Sequence, residues 1–441
     1  MQQTRESKPR LLQALIDAFS LPDLRRRILV TIGLLVAFRL IAHIPLPNID
    51  PAKLSELYSN NQLFGMLDLF SGGALKNMSV AAMGVYPYIT ATIIMQLLMP
   101  VIPRLQAMAK EGEAGQHQMN LITHWLIIPL AALQGYSQLI ILQRQGVLPT
   151  DIGGILPMAT MIISLIAGTV FLVWLGELIT NYGIGNGISI IIFAGIVATY
   201  PQTFGQGGIQ WSTNGSGVVF YFIISILATA LIVLFTEAHR RVPVQYSKSI
   251  FKGGRMYRQS GASHIPLRVN TSGMIPLIFS MSIVIFPSLV ASYFAAPSGK
   301  PENFANHIVN ILNSSASLPQ GLVYWGLYFL LTVGFAFFYT MVVFQQQDLP
   351  GVLQKQGGFI PGIRPGKNTA SYLNRVILRL TWAGALFLAI VGVLPFILRL
   401  ITGVDLQLSS LGLIIVVGVV LDTMKQMEAQ LVMRRYEGFI K

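Results

Sequence analysis

Ten mostly apolar stretches, each roughly twenty residues long, divide this 441-residue chain, and nearly all of its charge sits between them. They fall at 28–44, 81–98, 121–142, 155–179, 187–200, 218–236, 274–294, 322–344, 376–398 and 408–424. Stretches this apolar cross a bilayer only as helices or as strands of a closed barrel, and these have helical length. Only 11% of the residues are charged, against about 25% in soluble domains. The expected fold is an all-α polytopic membrane protein with ten transmembrane helices.

The remaining charge orients the chain. Of 30 Lys and Arg, 24 lie on one side: in the N-terminal segment, the loops after spans two, six and eight, the tail, and at Arg379 in the first turn of span nine. The opposite side carries six: Arg39, Lys53, Lys76, Arg144, Lys300 and Arg399. The positive-inside rule then places both termini in the cytoplasm. Residues 1–27 form a cytoplasmic segment in which Leu11, Leu12, Leu15, Ile16 and Phe19 share one face of an interfacial amphipathic helix. Residues 425–441 form a cytoplasmic tail. Pro45 and Pro47 follow the first apolar run in place of a small-residue cleavage site, so no cleavable leader is expected. The absence of cysteine removes a disulfide framework, a thiol nucleophile and Cys-ligated metal.

The stretch 64–100 breaks the pattern. Asp68, Ser71, Gly72, Gly73, Lys76 and Asn77 place too many polar groups in its first half for an ordinary span. Irregular backbone at membrane depth is tolerated only inside protein or beside a water-filled cavity. A re-entrant half-helix feeding a pore wall and an amphipathic loop docked on the outer surface both fit.

Two loops exceed what a helix connection needs. Residues 237–269 hold Arg240, Arg241, Lys248, Lys252, Arg255, Arg258 and Arg268, and residues 345–375 hold Lys355, Arg364 and Lys367. They serve either as docking surfaces or as orientation signals touching anionic headgroups. The Gly- and Pro-rich surroundings of Arg364 favour docking.

Other motifs fail on inspection. Gly362 to Lys367 lacks the phosphate-loop pattern, with Pro361 at the first glycine position and Asn368 at the Ser/Thr position. Gly183-Ile-Gly-Asn-Gly187 has no βαβ context, and close helix packing is the better reading. Glu177 and Asp422 lie near inner span ends, and no Asp, Glu or Lys falls mid-span. An ion-coupled carrier usually needs such a charge. The mid-depth positions instead offer Val85 with Ile89, and Ile188 with Ile192, each pair on one helix face. On spacing alone these are ordinary packing residues.

Several stretches together resemble the bacterial SecY family, the channel subunits of the protein translocase. They are Phe70-Ser-Gly-Gly-Ala-Leu75, Gly84-Val-Tyr-Pro-Tyr-Ile89 with Gln96-Leu-Leu98, Lys110-Glu-Gly-Glu113, Trp174-Leu-Gly-Glu177, 183–195, Leu267-Arg-Val-Asn270 and Phe359-Ile-Pro-Gly-Ile-Arg-Pro-Gly366. The resemblance implies two pseudo-symmetric five-helix halves, 28–200 and 218–424, around a central pore in the bacterial plasma (inner) membrane. It implies a re-entrant plug half-helix at 67–79, including Leu67, Asp68, Phe70, Ser71, Gly72, Gly73, Ala74, Leu75, Lys76 and Asn77. An apolar pore ring would comprise Val85, Ile89, Ile188, Ile192, Ile278 and Ile415. A lateral gate between spans two and seven would carry Thr92, Gln96, Asn270 and Thr271. The implied partners are the SecE and SecG membrane subunits, the SecA ATPase, the ribosome through its RNA, signal sequences, nascent polypeptides and membrane lipids. No catalytic residue, metal or cofactor is expected in a passive channel.

Overall fold

The apolar runs fold as helices, and prolines and glycines set many of their ends. The computed structural model describes residues 21–47, 49, 53–54, 71–144, 146–148, 155–252, 255–294, 303–312, 320–403 and 410–437. The expected amphipathic helix before residue 20 lies outside them. The chain forms two compact units, Met1–Thr213 with Leu406–Lys441, and Asn214–Asp405.

In the first unit, α1 (Pro22–Ile41) opens on Pro22, which loses no helical hydrogen bond there. Asp23 in its first turn and Arg39 in its last complement the helix dipole. Beyond it, residues 44–46 run beside 78–80, with Leu46 N donating to Met78 O and Val80 N to Ile44 O, both at 3.0 Å. Helix α2 (Tyr86–Leu98) starts at Tyr86-Pro87, and Met99-Pro100 follows its last turn. The chain there bends 104° into α3 (Pro103–Lys110). The long helices α4 (Glu113–Arg144) and α5 (Ile155–Tyr182) follow. Leu139 and Leu142 of α4 and Met161 and Leu165 of α5 enclose Leu75, Met78, Ala82 and Met83 in one apolar cluster.

The expected break between spans five and six is absent. Helix α6 runs without interruption from Gly187 to Glu237. Its two apolar stretches, Gly187–Pro201 and Gly215–Glu237, match the two predicted spans. The segment between them is rich in Gln, Gly, Ser and Asn, which is why it reads as a loop.

In the second unit, β1 (His239–Lys252) and β2 (Arg255–Arg268) pair antiparallel along their whole length. Helix α7 (Ile275–Phe294), the short α8 (Phe304–Ile311), α9 (Gln320–Gln347), α10 (Leu349–Lys355), strand β3 (Gly358–Phe359) and α11 (Lys367–Thr402) complete it. Phe279 of α7 meets Phe335 and Tyr339 of α9 edge-on. Gly392 of α11 leaves room for Tyr328 and Leu277, since a Cβ there would lie 2.8 and 2.9 Å from their side chains.

The last helix, α12 (Ser410–Glu437), belongs to the first unit. This differs from the expected division into spans one to five and six to ten. The reason is local packing: Met424 and Met427 join Leu24 and Ile184. Gly185 sits at φ +79°, and a Cβ on it would lie 3.0 Å from Thr423 Oγ1.

Five helical stretches among the described residues are long and apolar enough to cross a membrane: Glu113–Gln143, Leu156–Tyr182, Gly215–Glu237, Gly321–Lys355 and Lys367–Thr402. Helices also stand at the other five predicted positions.

The three strands form one sheet in the order β2-β1-β3. Val242 and Val244, two apart on β1, bury the same face against Leu353, Ile360, Leu373, Val376 and Ile377. Ile360 is only 3% exposed. Ile360→Ala is expected to cost about 2–4 kcal/mol of local stability. Limited proteolysis should then cut within 345–375 faster while α9 and α11 stay protected; unchanged cleavage would mean that Ile360 does not anchor the segment.

Candidate functional site

The segment following residue 70 is built from turns. Ser71 is helical, and residues 72–78 and 80–85 are turns, so the described part of the expected half-helix is not helical beyond Ser71. Gly72 and Gly73 take φ +68° and +84°, and Met78 takes φ +41°, which a right-handed helix cannot accommodate. Leu67, Asp68 and Phe70 lie outside the described residues. Of the remaining plug candidates, Ser71, Gly72, Ala74 and Leu75 are buried, Gly73 is half-buried, and Lys76 and Asn77 are exposed. The segment is therefore part of the first unit's interior and not a loop lying on its surface.

Its backbone is satisfied by neighbours. Leu75 N donates to Ser71 Oγ at 2.9 Å and Ala81 N to Ser79 Oγ at 3.2 Å. Arg39 Nη1 donates to Gly72 O at 2.6 Å. A Cβ on Gly72 would lie 2.8 Å from both Gly195 Cα and the Phe38 ring, so two backbones touch here with no side chain between them.

Gly195 belongs to a face of α6 shared with two ring candidates. Ile188, Ile192 and Gly195 are spaced i, i+4, i+7, which brings them to one side of a helix. Ile192 is 4% exposed. Ile188 is half-buried and its Cδ1 fills the space left by Gly176 of α5, beside Ala91 and Val173. Val85 immediately precedes α2 and is fully buried; Ile89, one turn on, donates its N–H to Val85 O at 3.0 Å. Ile415 on α12 is buried in the first unit's sequence range, and Ile278 on α7 is buried in the second's.

Three of the four gate candidates bond within their own segments. Thr92 Oγ1 donates to Tyr88 O at 2.8 Å, and Thr271 Oγ1 to Arg268 O at 2.9 Å. Asn270 Oδ1 accepts from Ser272 Oγ at 3.3 Å. Gln96 Oε1 is buried without a hydrogen-bond partner among the described residues, a costly state that a partner would relieve. Beside Tyr88, which accepts the Thr92 bond, lies a polar pair that sequence reasoning missed: His124 Nε2 is 3.0 Å from Glu177 Oε1, with the Tyr88 ring beside His124. An isolated His in an apolar run gives no sequence signal of its partner.

The two basic loops form one structure. Gln245 and Tyr246 of β1 pair with Phe359 and Gly358 of β3. Gly358 is required there, because a Cβ would lie 2.9 Å from Tyr246 Cε1. Arg240 and Arg241 are exposed at the hairpin base. Register places Lys248, Lys252, Arg255 and Arg258 in its outer half, with Lys252 directly opposite Arg255. Ile360 and Ile363 anchor the next turn in the apolar cluster, and Gly362 and Gly366 take φ +81° and +100° around Arg364. Arg364 is thus held exposed on a fixed loop, with Lys355 and Lys367 exposed nearby in sequence.

The sequence model of the SecY family matches residues 79–424. A protein translocase subunit SecY of Streptomyces scabiei is 39% identical over 450 residues, covering 98% of this chain and all of the relative. The subunit of Halalkalibacterium halodurans is 40% identical with the same coverage. Among solved structures, one described as a protein conducting channel superposes with a TM-score of 0.63 at 18% identity, covering 97% of this chain and 98% of its own. The channel of a canine ribosome–channel complex from the endoplasmic reticulum gives 0.61 at 17% identity, with the same coverage. With full-length relatives near 40% identity and the same fold, the chain belongs to the SecY family of protein translocase subunits.

Proposed function

We propose that this chain is the pore-forming subunit of a protein-conducting channel in the bacterial plasma membrane, passive and gated. One observation carries the reading. The turn segment after Ser71 packs its Gly72 backbone onto the α6 face that bears Ile188 and Ile192. A polar, irregular segment seated on an apolar face is what a movable plug over a hydrophobic constriction requires. Such a constriction stops water and ions by dewetting, while aliphatic side chains yield to a polypeptide of any sequence.

In this reading Val85, Ile89, Ile188, Ile192, Ile278 and Ile415 form the ring, and residues 67–79 the plug. Thr92, Gln96, Asn270 and Thr271 border a lateral gate, where the unpartnered Gln96 carbonyl offers an acceptor. A signal sequence opens the gate through its higher affinity for the open state. Ten spans with both termini cytoplasmic place the sheet and the Arg364 loop where a SecA motor or a ribosome docks, with SecE and SecG as membrane partners. The basic hairpin supports an RNA-phosphate contact, whose affinity falls steeply with salt.

The pore path is testable with single cysteines, since the chain has none of its own. A stalled secretory precursor carrying one cysteine should form a disulfide with Ile192→Cys and none with Leu330→Cys, whose site is 68% exposed on α9. The adduct should depend on a functional signal sequence. Translocation that proceeds without any adduct at Ile192→Cys would remove the ring assignment.

Docking is testable at Arg364. Arg364→Ala should weaken partner binding by about 2 kcal/mol, roughly 30-fold in Kd, without altering thermal unfolding. Co-sedimentation with ribosomes and with the motor ATPase, at low and moderate salt, measures it. Unaltered binding of both would return this loop to an orientation signal.

A further inference from the structure

We infer that Arg39 is a positioning residue that latches the plug shut; this rests on the reading of 67–79 as the plug. Arg39 lies in the last turn of α1, and its Nη1 donates to Gly72 O across 33 positions of sequence at 2.6 Å. The same guanidinium passes 4.0 Å from where a Cβ on Gly73 would stand. Phe38, one residue earlier and 1% exposed, presses its ring on Gly72. Successive residues of α1 thus hold the turn by two different means, one an apolar contact and one a charge-assisted hydrogen bond.

The choice of partner is informative. Among the described residues Arg39 has no carboxylate partner, and its hydrogen bond goes to a neutral backbone carbonyl. The Arg39 carbonyl meanwhile lies 2.7 Å from His43 Nδ1, which fixes the helix end that carries the side chain. A charge-assisted bond to a carbonyl is strong while the site is dry. Water replaces it without leaving a second charge behind, so the bond breaks reversibly when the turn withdraws. An ion pair would hold more permanently, because separating it strands two charges. The arrangement suits a contact that must form and release in every cycle. It also accounts for an ionisable side chain within the apolar run 28–44, where charges are expensive unless functional.

The test uses the full chain reconstituted in planar bilayers, reading resting ion conductance, with export of a precursor bearing a defective signal sequence as the second readout. Arg39→Leu, which removes donor and charge, should raise the conducting fraction roughly tenfold or more and relax the signal-sequence requirement. Arg39→Lys, which keeps a charge and a donor but loses the planar fork, should fall between wild type and Arg39→Leu. The intermediate level of Arg39→Lys remains readable if Arg39→Leu fails to fold. Both effects should vanish when residues 67–79 are deleted, because nothing is left to latch. A deletion that leaks while both Arg39 variants stay tight overturns the latch and leaves the plug standing. A deletion that does not leak overturns both. An Arg39 effect that persists in the deleted background places the residue's role elsewhere and also overturns the proposal.

Discussion

The first unit depends on satisfying backbone that is not helical. Within hydrocarbon every N–H and C=O must find a partner inside the protein, and the turns at 72–85 find several of theirs within the unit. Ser71 and Ser79 supply hydroxyl acceptors, residues 44–46 supply a short stretch of ladder, and Arg39 supplies a donor. Glycine makes these contacts possible. Membrane helices gain nothing from hydrophobic association, so close packing of small residues takes its place. Gly195 against Gly72, Gly176 against Ile188 and Gly185 against Thr423 are three instances. A methyl group on Gly72 or Gly195 would force the facing backbone to shift, and one on Gly176 or Gly185 would displace the facing side chain.

The second unit solves a different problem, that of holding basic loops in a defined shape. The alternation Val242, Val244, Tyr246 gives β1 one apolar face, and α10, Ile360 and the start of α11 cover it. The turn bearing Arg364 inherits its order from that cluster, since Ile360 and Ile363 lie on either side of Pro361 and Gly362. Charge is thus displayed from a hydrophobic base.

Helix positions and family motifs were legible in the sequence because hydropathy and proline placement are local signals. The hairpin was legible in principle, through alternation at 242, 244, 246 on one strand and 265, 267 on the other, but the density of Lys and Arg masked it. The pairing of the two loops through Gly358 was not legible, because nothing local marks a two-residue strand. The stretch 64–100 stood out by its polarity, which left a re-entrant half-helix and a docked loop both open. The residues at 74–78 gave no sign that Met78 would adopt a left-handed backbone. The return of α12 to the first unit depends on contacts of Met424 and Met427 with Ile184 and Leu24, hundreds of positions away, which no window of sequence reveals.

The sheet has a mechanical meaning. A hairpin of fourteen paired positions is a lever about 45 Å long at roughly 3.3 Å per residue. Its fulcrum is the cluster at Val242 and Val244, and the short β3 is stitched beside it. A partner pulling on the tip therefore loads the fulcrum in shear, and the strain passes through Ile360 and Ile363 to Leu373 and Val376 on the first turns of α11. Force applied to one loop is felt by the other and by the base of a membrane helix, with no change of bonding in between.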